Sequence, residues 1–434
     1  MTTVTVPQAA ATETSRRGIP VWLWPVLIVA FALPWIGGKA WLSANPLISN
    51  FTFLQISLMI VYAIAVLGLN LLTGFNGQIS LGHGAFFAVG AYVAAILIDQ
   101  ANWPYWATFI PVAVVCFIVG YLFGLPALRL EGHYLALATF ALAIAVPQIL
   151  KYKHFEGFTN GVQGINLTKP DAPFGMQLSG DQWMYLVVLM TAIVMFWIAR
   201  NLLDSRSGRA MMAIRDHQMA ADTMGIDTAR FKTTVFGISA AYTGIAGALH
   251  AIIFEFISPD SFRFELSIAI LVGAVVGGIA SLPGALIGGV FVQVIEKYAD
   301  AATKTVTKWV HLPIELEPWT IYGIVLILLM YFMPMGIAGG PLNQQETSRR
   351  IRQMNPAGIL LDTGPLVALL SAKDGQHERA KQLFATCTAP FRTCEAVIAE
   401  ACFLMRQIDP EGPAEVVALA RKGLFQIAVA VEDE

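Results

Sequence analysis

Thr73-Gly-Phe-Asn-Gly-Gln-Ile-Ser-Leu-Gly-His-Gly84 places four glycines and a run of polar side chains between two apolar stretches, 52–73 and 79–98. Each stretch has about the ~20 residues that a helix needs to cross a bilayer core. Glycine-rich interruptions between spans are how transporters build broken helices around a substrate path. Asn76, Gln78, Ser80 and His83 are the side chains such a break would offer to water or substrate. For His83 alone, a hydrogen-bonded packing role is the commoner use. A second glycine-rich stretch runs from Gly273 to Gly289. The pairs Gly120/Gly124, Gly273/Gly277 and Gly284/Gly288 are spaced to let helices approach closely in lipid, and packing alone explains them.

Composition extends this reading outward. Of 434 residues, 56% are hydrophobic and 13% charged. The first 340 residues hold 34 charges and the last 94 hold 22, so a membrane part precedes a soluble one. The net charge of -2 gives no footprint for nucleic acid, and none is expected as a partner. Cys116, Cys387, Cys394 and Cys402 form neither a disulfide framework nor a zinc spacing.

Stretches long enough to span are 20–38, 52–73, 79–98, 105–127, 133–150, 183–200, 233–254 and 318–336. The run 267–295 is interrupted by Ser281-Leu-Pro-Gly284 and is either one tilted helix or a hairpin of two. Lys and Arg favour the cytoplasmic side. Arg16 and Arg17, the loop 201–232, and Arg349, Arg350 and Arg352 all carry positive charge, which places both termini inside. An even count follows, so 267–295 counts twice. The fold class is therefore an all-α polytopic membrane protein of about ten spans including broken helices. Loop 151–182 opposes the rule, since it lands outside with Lys151, Lys153 and Lys169. The first span is too long and too tryptophan-rich for a signal peptide and reads as an anchor.

The connection 201–232 reads as a short amphipathic helix. Ser205 or Ser207 suits its N-cap, Gly225 its left-handed end, and Asp227 caps the following helix. Met211, Met212, Ile214, Met219 and Met224 offer an adaptable apolar side, with Arg209, Arg215 and Asp216 around it. Docking into a partner's groove is one use for such a side; lying on lipid headgroups is the other.

Several motifs, in order, then resemble the branched-chain amino-acid ABC transporter permease family. They are the stretch 72–92, Gly132-His-Tyr-Leu-Ala-Leu-Ala-Thr-Phe, Thr159-Asn-Gly-Val-Gln-Gly-Ile165, and Ser207-Gly-Arg-Ala through Ile226. Ala220-Ala-Asp-Thr-Met-Gly225 keeps the Ala-Ala-x-x-x-Gly core of the importers' coupling motif, with Met219 where Glu is usual. The resemblance covers nearly all of 20–340. It implies a bacterial inner-membrane subunit importing leucine, isoleucine or valine, with urea or short amides as the alternative. The implied partners are a second permease chain, two cytoplasmic ATPases and a periplasmic binding protein. Ala220, Ala221 and Gly225 would centre the ATPase contact, with Arg209 and Arg215 at its rim. No GxxxxGK[ST] loop occurs, so ATP-Mg belongs on another chain and no cofactor is expected on this one.

The domain reading is a cytoplasmic segment 1–19, a permease domain 20–340, a polar linker 341–356 and a small α/β segment 357–434. In the last, Gly358-Ile-Leu-Leu-Asp362 reads as a strand ending in an acid, with helices at 376–386 and 395–407. It resembles the first half to two thirds of a toxin-type PIN-domain ribonuclease. That resemblance implies Asp362 and Glu400 as ligands of Mg or Mn, a pairing that activates water for phosphodiester cleavage. The later acids of that family have no counterpart here, and Glu432-Asp-Glu434 reads as a solvated tail. The expected segment is an inactive one.

Overall fold

The computed structural model describes residues 29–34, 50–310 apart from 129, 131 and 174–177, the positions 323, 327, 331, 336 and 337, and 361–429 apart from 373 and 387–390. The chain forms two compact units, Met1–Gly339 and Gly340–Glu434.

In the first unit, α1 (Asn50–Leu69) continues into a π-helical turn over Asn70–Gly74. Then come α2 (His83–Asp99), α3 (Phe109–Ala127), α4 (His133–Leu150) and α5 (Gly180–Asp204). Two short helices, α6 (Arg206–Asp216) and α7 (Gln218–Thr223), lead to α8 (Thr228–Phe254). A hairpin closes the described part: α9 (Phe264–Gly277) and α10 (Leu282–Val310).

Contacts fix the direction of each helix. At one end, Phe53 meets the ring of Tyr185 (5.5 Å) and Trp183 Nε1 donates to Tyr105 Oη (2.9 Å). Gln100 Nε2 there donates to the Phe158 carbonyl (3.1 Å), and Lys151 pairs with Asp260 (2.6 Å). At the other end, Arg215 reaches Gly74. Successive apolar helices therefore alternate in direction.

Four helices among the described residues are long and apolar enough to cross a membrane: Phe51–Gly74, Tyr105–Ala127, Gly180–Asp204 and Thr228–Phe254. His83–Asp99, Tyr134–Leu150 and Leu282–Ile295 are apolar but shorter. Among the described residues, then, four of the ten expected spans have the full length. Residues counted as span at 79–82 belong to the break, and those at 278–281 form a turn. At 1.5 Å per residue, 17 residues reach about 26 Å, short of a ~30 Å core. Spans 20–38 and 318–336 lie outside the described residues except at 29–34, 323, 327, 331 and 336. Arg16, Arg17, the linker and the terminal acids lie outside them as well.

Lipid and core faces separate by helical spacing. On α3, Ile110, Val114, Ile118 and Leu122 are exposed at every fourth residue, while Val112, Cys116, Gly120 and Gly124 are buried. A helix apolar on both faces, with one face uncovered, suits lipid. α8 is the central helix, buried along most of its length against α1, α2 and α3. The three spaced glycine pairs sit at crossings: Gly120 and Gly124 against α8, and Gly273 and Gly277 against Gly284 and Gly288. The interrupted run 267–295 is therefore the hairpin.

Two further points differ from expectation. The unit is not purely helical, because β1 (Ile165–Asn166) pairs antiparallel with β2 (Phe256–Ile257). Two of the three lysines of loop 151–182 are paired: Lys151 with Asp260, and Lys169 with Asp181 of the same loop (2.8 Å) and with Glu255 (3.5 Å).

The second unit is α/β. β3 (Phe391–Cys394) lies parallel to β4 (Phe425–Val429), and Leu361 flanks β3 through its N–H to the Arg392 carbonyl (2.7 Å). Four helices, α11 (Thr363–Leu370), α12 (His377–Thr386), α13 (Glu395–Ile408) and α14 (Gly412–Arg421), complete it. Leu366, Phe391, Ala401, Met405, Val416 and Phe425 form its core.

Candidate functional site

The break between the π-helical turn and α2 carries four buried polar side chains: Asn76, Gln78, Ser80 and His83. Three of them are hydrogen-bonded through the side chain. Gln78 Nε2 donates to the Lys232 carbonyl on α8 (3.1 Å). Ser80 Oγ stands 3.0 Å from His83 Nδ1, and His83 Nε2 stands 2.6 Å from Ser239 Oγ. Ser239 donates its own proton to the Gly68 carbonyl (2.6 Å), while Ser80 Oγ accepts from Gly82 N–H (3.3 Å). A neutral imidazole protonated on Nε2 and accepting at Nδ1 satisfies all four bonds without burying a charge. His83 is thus a structural tie between α1, α2 and α8. It presents no free nitrogen to a substrate.

Asn76 is the exception. It is 2% exposed, yet neither its Oδ1 nor its Nδ2 has a hydrogen-bond partner among the described residues.

The break is held by residues that sequence reading passed over. Leu81 N–H donates to Thr139 Oγ1 (2.9 Å) and Gly84 N–H to Ser267 Oγ (2.9 Å). Asn70 bonds the 278–281 turn through both ends of its amide. Polar residues inside apolar spans were the available signal, since each needs a partner away from water.

The 201–232 connection folds as two helices. Ser205 Oγ caps α6 by accepting from Ser207 and Gly208 N–H (3.1 and 3.3 Å), and His217 turns extended between α6 and α7. Gly225 takes the left-handed backbone (φ 82°), and Asp227 caps α8 through Arg230 N–H (3.0 Å). Its apolar side divides. Met211, Ile214 and Ala221 are buried within this unit, whereas Met219 and Met224 are 75% and 84% exposed. Ala221 therefore does not stand at the centre of an exposed surface; Ala220, Met219, Met224 and Gly225 do. Arg209 Nη1 rests on the Asp204 carbonyl (3.3 Å) and is exposed. Arg215 is not a free rim residue: its Nη1 donates to the Gly74 carbonyl (3.1 Å) and its Nε to Asp216 (2.9 Å).

Outside the apolar helices, the Lys151 ammonium bonded to Asp260 holds that carboxyl below its ordinary value. Of the acids near span ends, Glu255 pairs with Lys169, Glu265 keeps one buried oxygen with no partner among the described residues, and Glu131 lies outside them.

In the second unit, Asp362 caps α11 by accepting from Thr363 N–H (2.8 Å), and Thr363 Oγ1 donates to Glu400 Oε2 (2.8 Å). Both predicted acids thus converge on one threonine. Among the described residues no group of three or more His, Cys, Asp or Glu could hold a metal ion. Two carboxylates supply only part of the roughly six oxygens that Mg takes, the rest being left to waters or substrate.

Residues 51–334 match the family described as the branched-chain amino acid transport system permease component. The chain is 33% identical over 262 residues to the high-affinity branched-chain amino acid transport system permease protein LivM of Salmonella typhimurium, covering 55% of this chain and 61% of that one. The LivM protein of Escherichia coli is 34% identical, with 52% and 58% covered. The permease protein LivH of Salmonella typhimurium is 27% identical, with 67% and 94% covered. The chain thus spans about three fifths of the length of the two LivM proteins. No solved structure matches it.

Proposed function

The chain belongs to the branched-chain amino acid permease family, and on that premise we propose that it is a membrane-spanning subunit of an ATP-driven importer of branched-chain amino acids. A second permease chain completes the pathway, two ATPases supply the energy, and a binding protein delivers the solute. The α6–α7 pair and both termini lie on the cytoplasmic side, a reading supported by the cluster of Arg206, Arg209, Arg215, Arg230 and Lys232.

One observation carries the coupling role. Met219 and Met224 stand out from a helix pair that is itself bonded to the glycine-rich break. Adaptable apolar side chains, ringed by charge and held on a rigid base, suit a groove on an ATPase. The test replaces both methionines by Asp and measures ATP hydrolysis by the reconstituted complex, with and without loaded binding protein. Stimulation should be lost. Intact stimulation would leave these side chains to the lipid surface. Uptake of labelled leucine against urea, in cells lacking other routes, decides the solute. Urea uptake alone would move the assignment to the short amides.

The second unit is proposed to lack nuclease activity, because no third acid joins Asp362 and Glu400 among the described residues. RNA cleavage by the full chain with Mn, abolished in Asp362→Asn, would overturn this.

A further inference from the structure

Two unfavourable local arrangements meet where the break touches the 278–281 turn, and a third lies two residues further along the break. The end of α1 widens into a π-helical turn, Asn70–Gly74, a form common at functional sites. Ala280 holds φ 61°, a left-handed backbone that its Cβ disfavours. Asn76 buries an amide for which the described residues supply no partner. Asn70 joins the first two: its Oδ1 accepts from Ala280 N–H (2.7 Å), and its Nδ2 donates to the Ser281 carbonyl (2.9 Å). Gly74 lies flush against the same turn, where a Cβ would stand 2.5 Å from Ala280 N.

Such outliers persist only where their surroundings over-determine them. Here the α6–α7 pair does so by two routes. Arg215 donates to the Gly74 carbonyl and lays its stem against Gly77, where a Cβ would sit 3.0 Å from Arg215 Cγ. Gly77 has φ 76°, so the backbone turns under that stem in a form few other residues adopt. The second route runs from Gln218 Oε1 to Lys232 Nζ (2.6 Å), and from the Lys232 carbonyl to Gln78 Nε2 (3.1 Å). Both ends of 74–78 are therefore gripped from the helix pair.

We propose that Arg215 and the Gln218–Lys232–Gln78 string form a clasp by which movement of the α6–α7 pair resets the 70–84 break. Arg215 and Gln78 are positioning residues. A shift of α6 draws the Gly74 carbonyl with it, and Gly74 sits against Ala280, so the pull frees Asn70 from the 278–281 turn. The freed break gives the Asn76 amide partners that the clasped form denies it. Two arrangements of one element, biased from the helix pair, are what physical coupling requires. The inference rests on the permease reading, which supplies the movement.

Ile79, in the break and 47% exposed, is the reporter. In a chain with its four cysteines replaced, Ile79→Cys is reacted with a small maleimide in the complex with its ATPases, with and without trapped ATP. The clasped chain should change its labelling rate at least fivefold between the two states. Arg215→Ala and Gln78→Leu should each bring that change below twofold and lower leucine taken up per ATP about tenfold, while Arg215→Lys recovers part of both. A merely structural role predicts less folded complex with an undiminished labelling ratio, and that result overturns the clasp. So does an unmutated complex whose labelling ignores ATP. ATP-dependent labelling without leucine uptake would instead refute the solute assignment and leave the clasp standing.

Discussion

Gly247→Ala tests whether the α2–α8 crossing is what holds His83 in place. A Cβ at Gly247 would lie 2.8 Å from the Phe87 carbonyl carbon and 3.1 Å from Ala91 N, with the Phe87 oxygen closer still. All three are backbone atoms, so no side-chain rotation relieves the contact. Carbon atoms in contact sit about 3.5–4.0 Å apart, so the helices must part by roughly 1 Å. Overpacking of this kind costs about 1–3 kcal/mol. The same two helices carry the His83–Ser239 bond of 2.6 Å. A 1 Å separation takes that bond beyond the ~3.2 Å limit, which adds about 1 kcal/mol net. The expected loss is therefore about 2–4 kcal/mol. Gly225→Ala is the comparator, since nothing lies within 4 Å of its Cβ and only the left-handed φ opposes it, at about 1 kcal/mol. Thermal unfolding in detergent, followed by tryptophan fluorescence, should rank Gly247→Ala clearly below Gly225→Ala. Equal midpoints, or the reverse order, would refute the assignment of this crossing as a backbone-limited contact.

Four further outcomes are expected. Ser205→Ala removes the cap of α6 at a cost of about 1 kcal/mol, visible as faster hydrogen exchange at Ser207 and Gly208. Asn76→Leu removes two unpartnered polar atoms and should raise the unfolding midpoint, by about 1 kcal/mol or more, while slowing transport. Thr363→Val breaks the bond to Glu400 and should cost the second unit about 1 kcal/mol, read as faster proteolysis within 361–429. For Asp260, whose folded value is lowered, the stabilising effect is present above the ordinary 3.8 and is lost as pH falls through the folded value. Lys151→Met should reduce that acid-side loss and return the Asp260 titration, followed by NMR, toward 3.8.

The helices of the first unit were largely legible because apolar length and spacing are local properties. The ends of α3, α4, α5 and α8 fall within a few residues of the apolar runs that announced them. The caps at Ser205 and Asp227 and the left-handed Gly225 were also readable, since each depends on the next three or four residues. Misreadings came where one residue type serves two faces. Met211 and Met219 look alike in sequence, yet the extended His217 between them turns one inward and the other outward. Arg215 belongs to the same class: its charge was visible, its partner was not.

The sequence by itself determined that apolar helices would form, where glycine would interrupt them, and that a more polar segment would follow. Those outcomes depend on backbone satisfaction and hydrophobic period within each segment. Only the tertiary structure decided that the two glycine-rich interruptions meet, with Asn70 bonded to Ser281 across 211 positions and Arg215 to Gly74 across 141. A buried polar group must find a partner, but the nearest one in space is set by which helices cross and how closely. That distance is fixed by the glycines on both helices at once, a pairing no single stretch of chain contains.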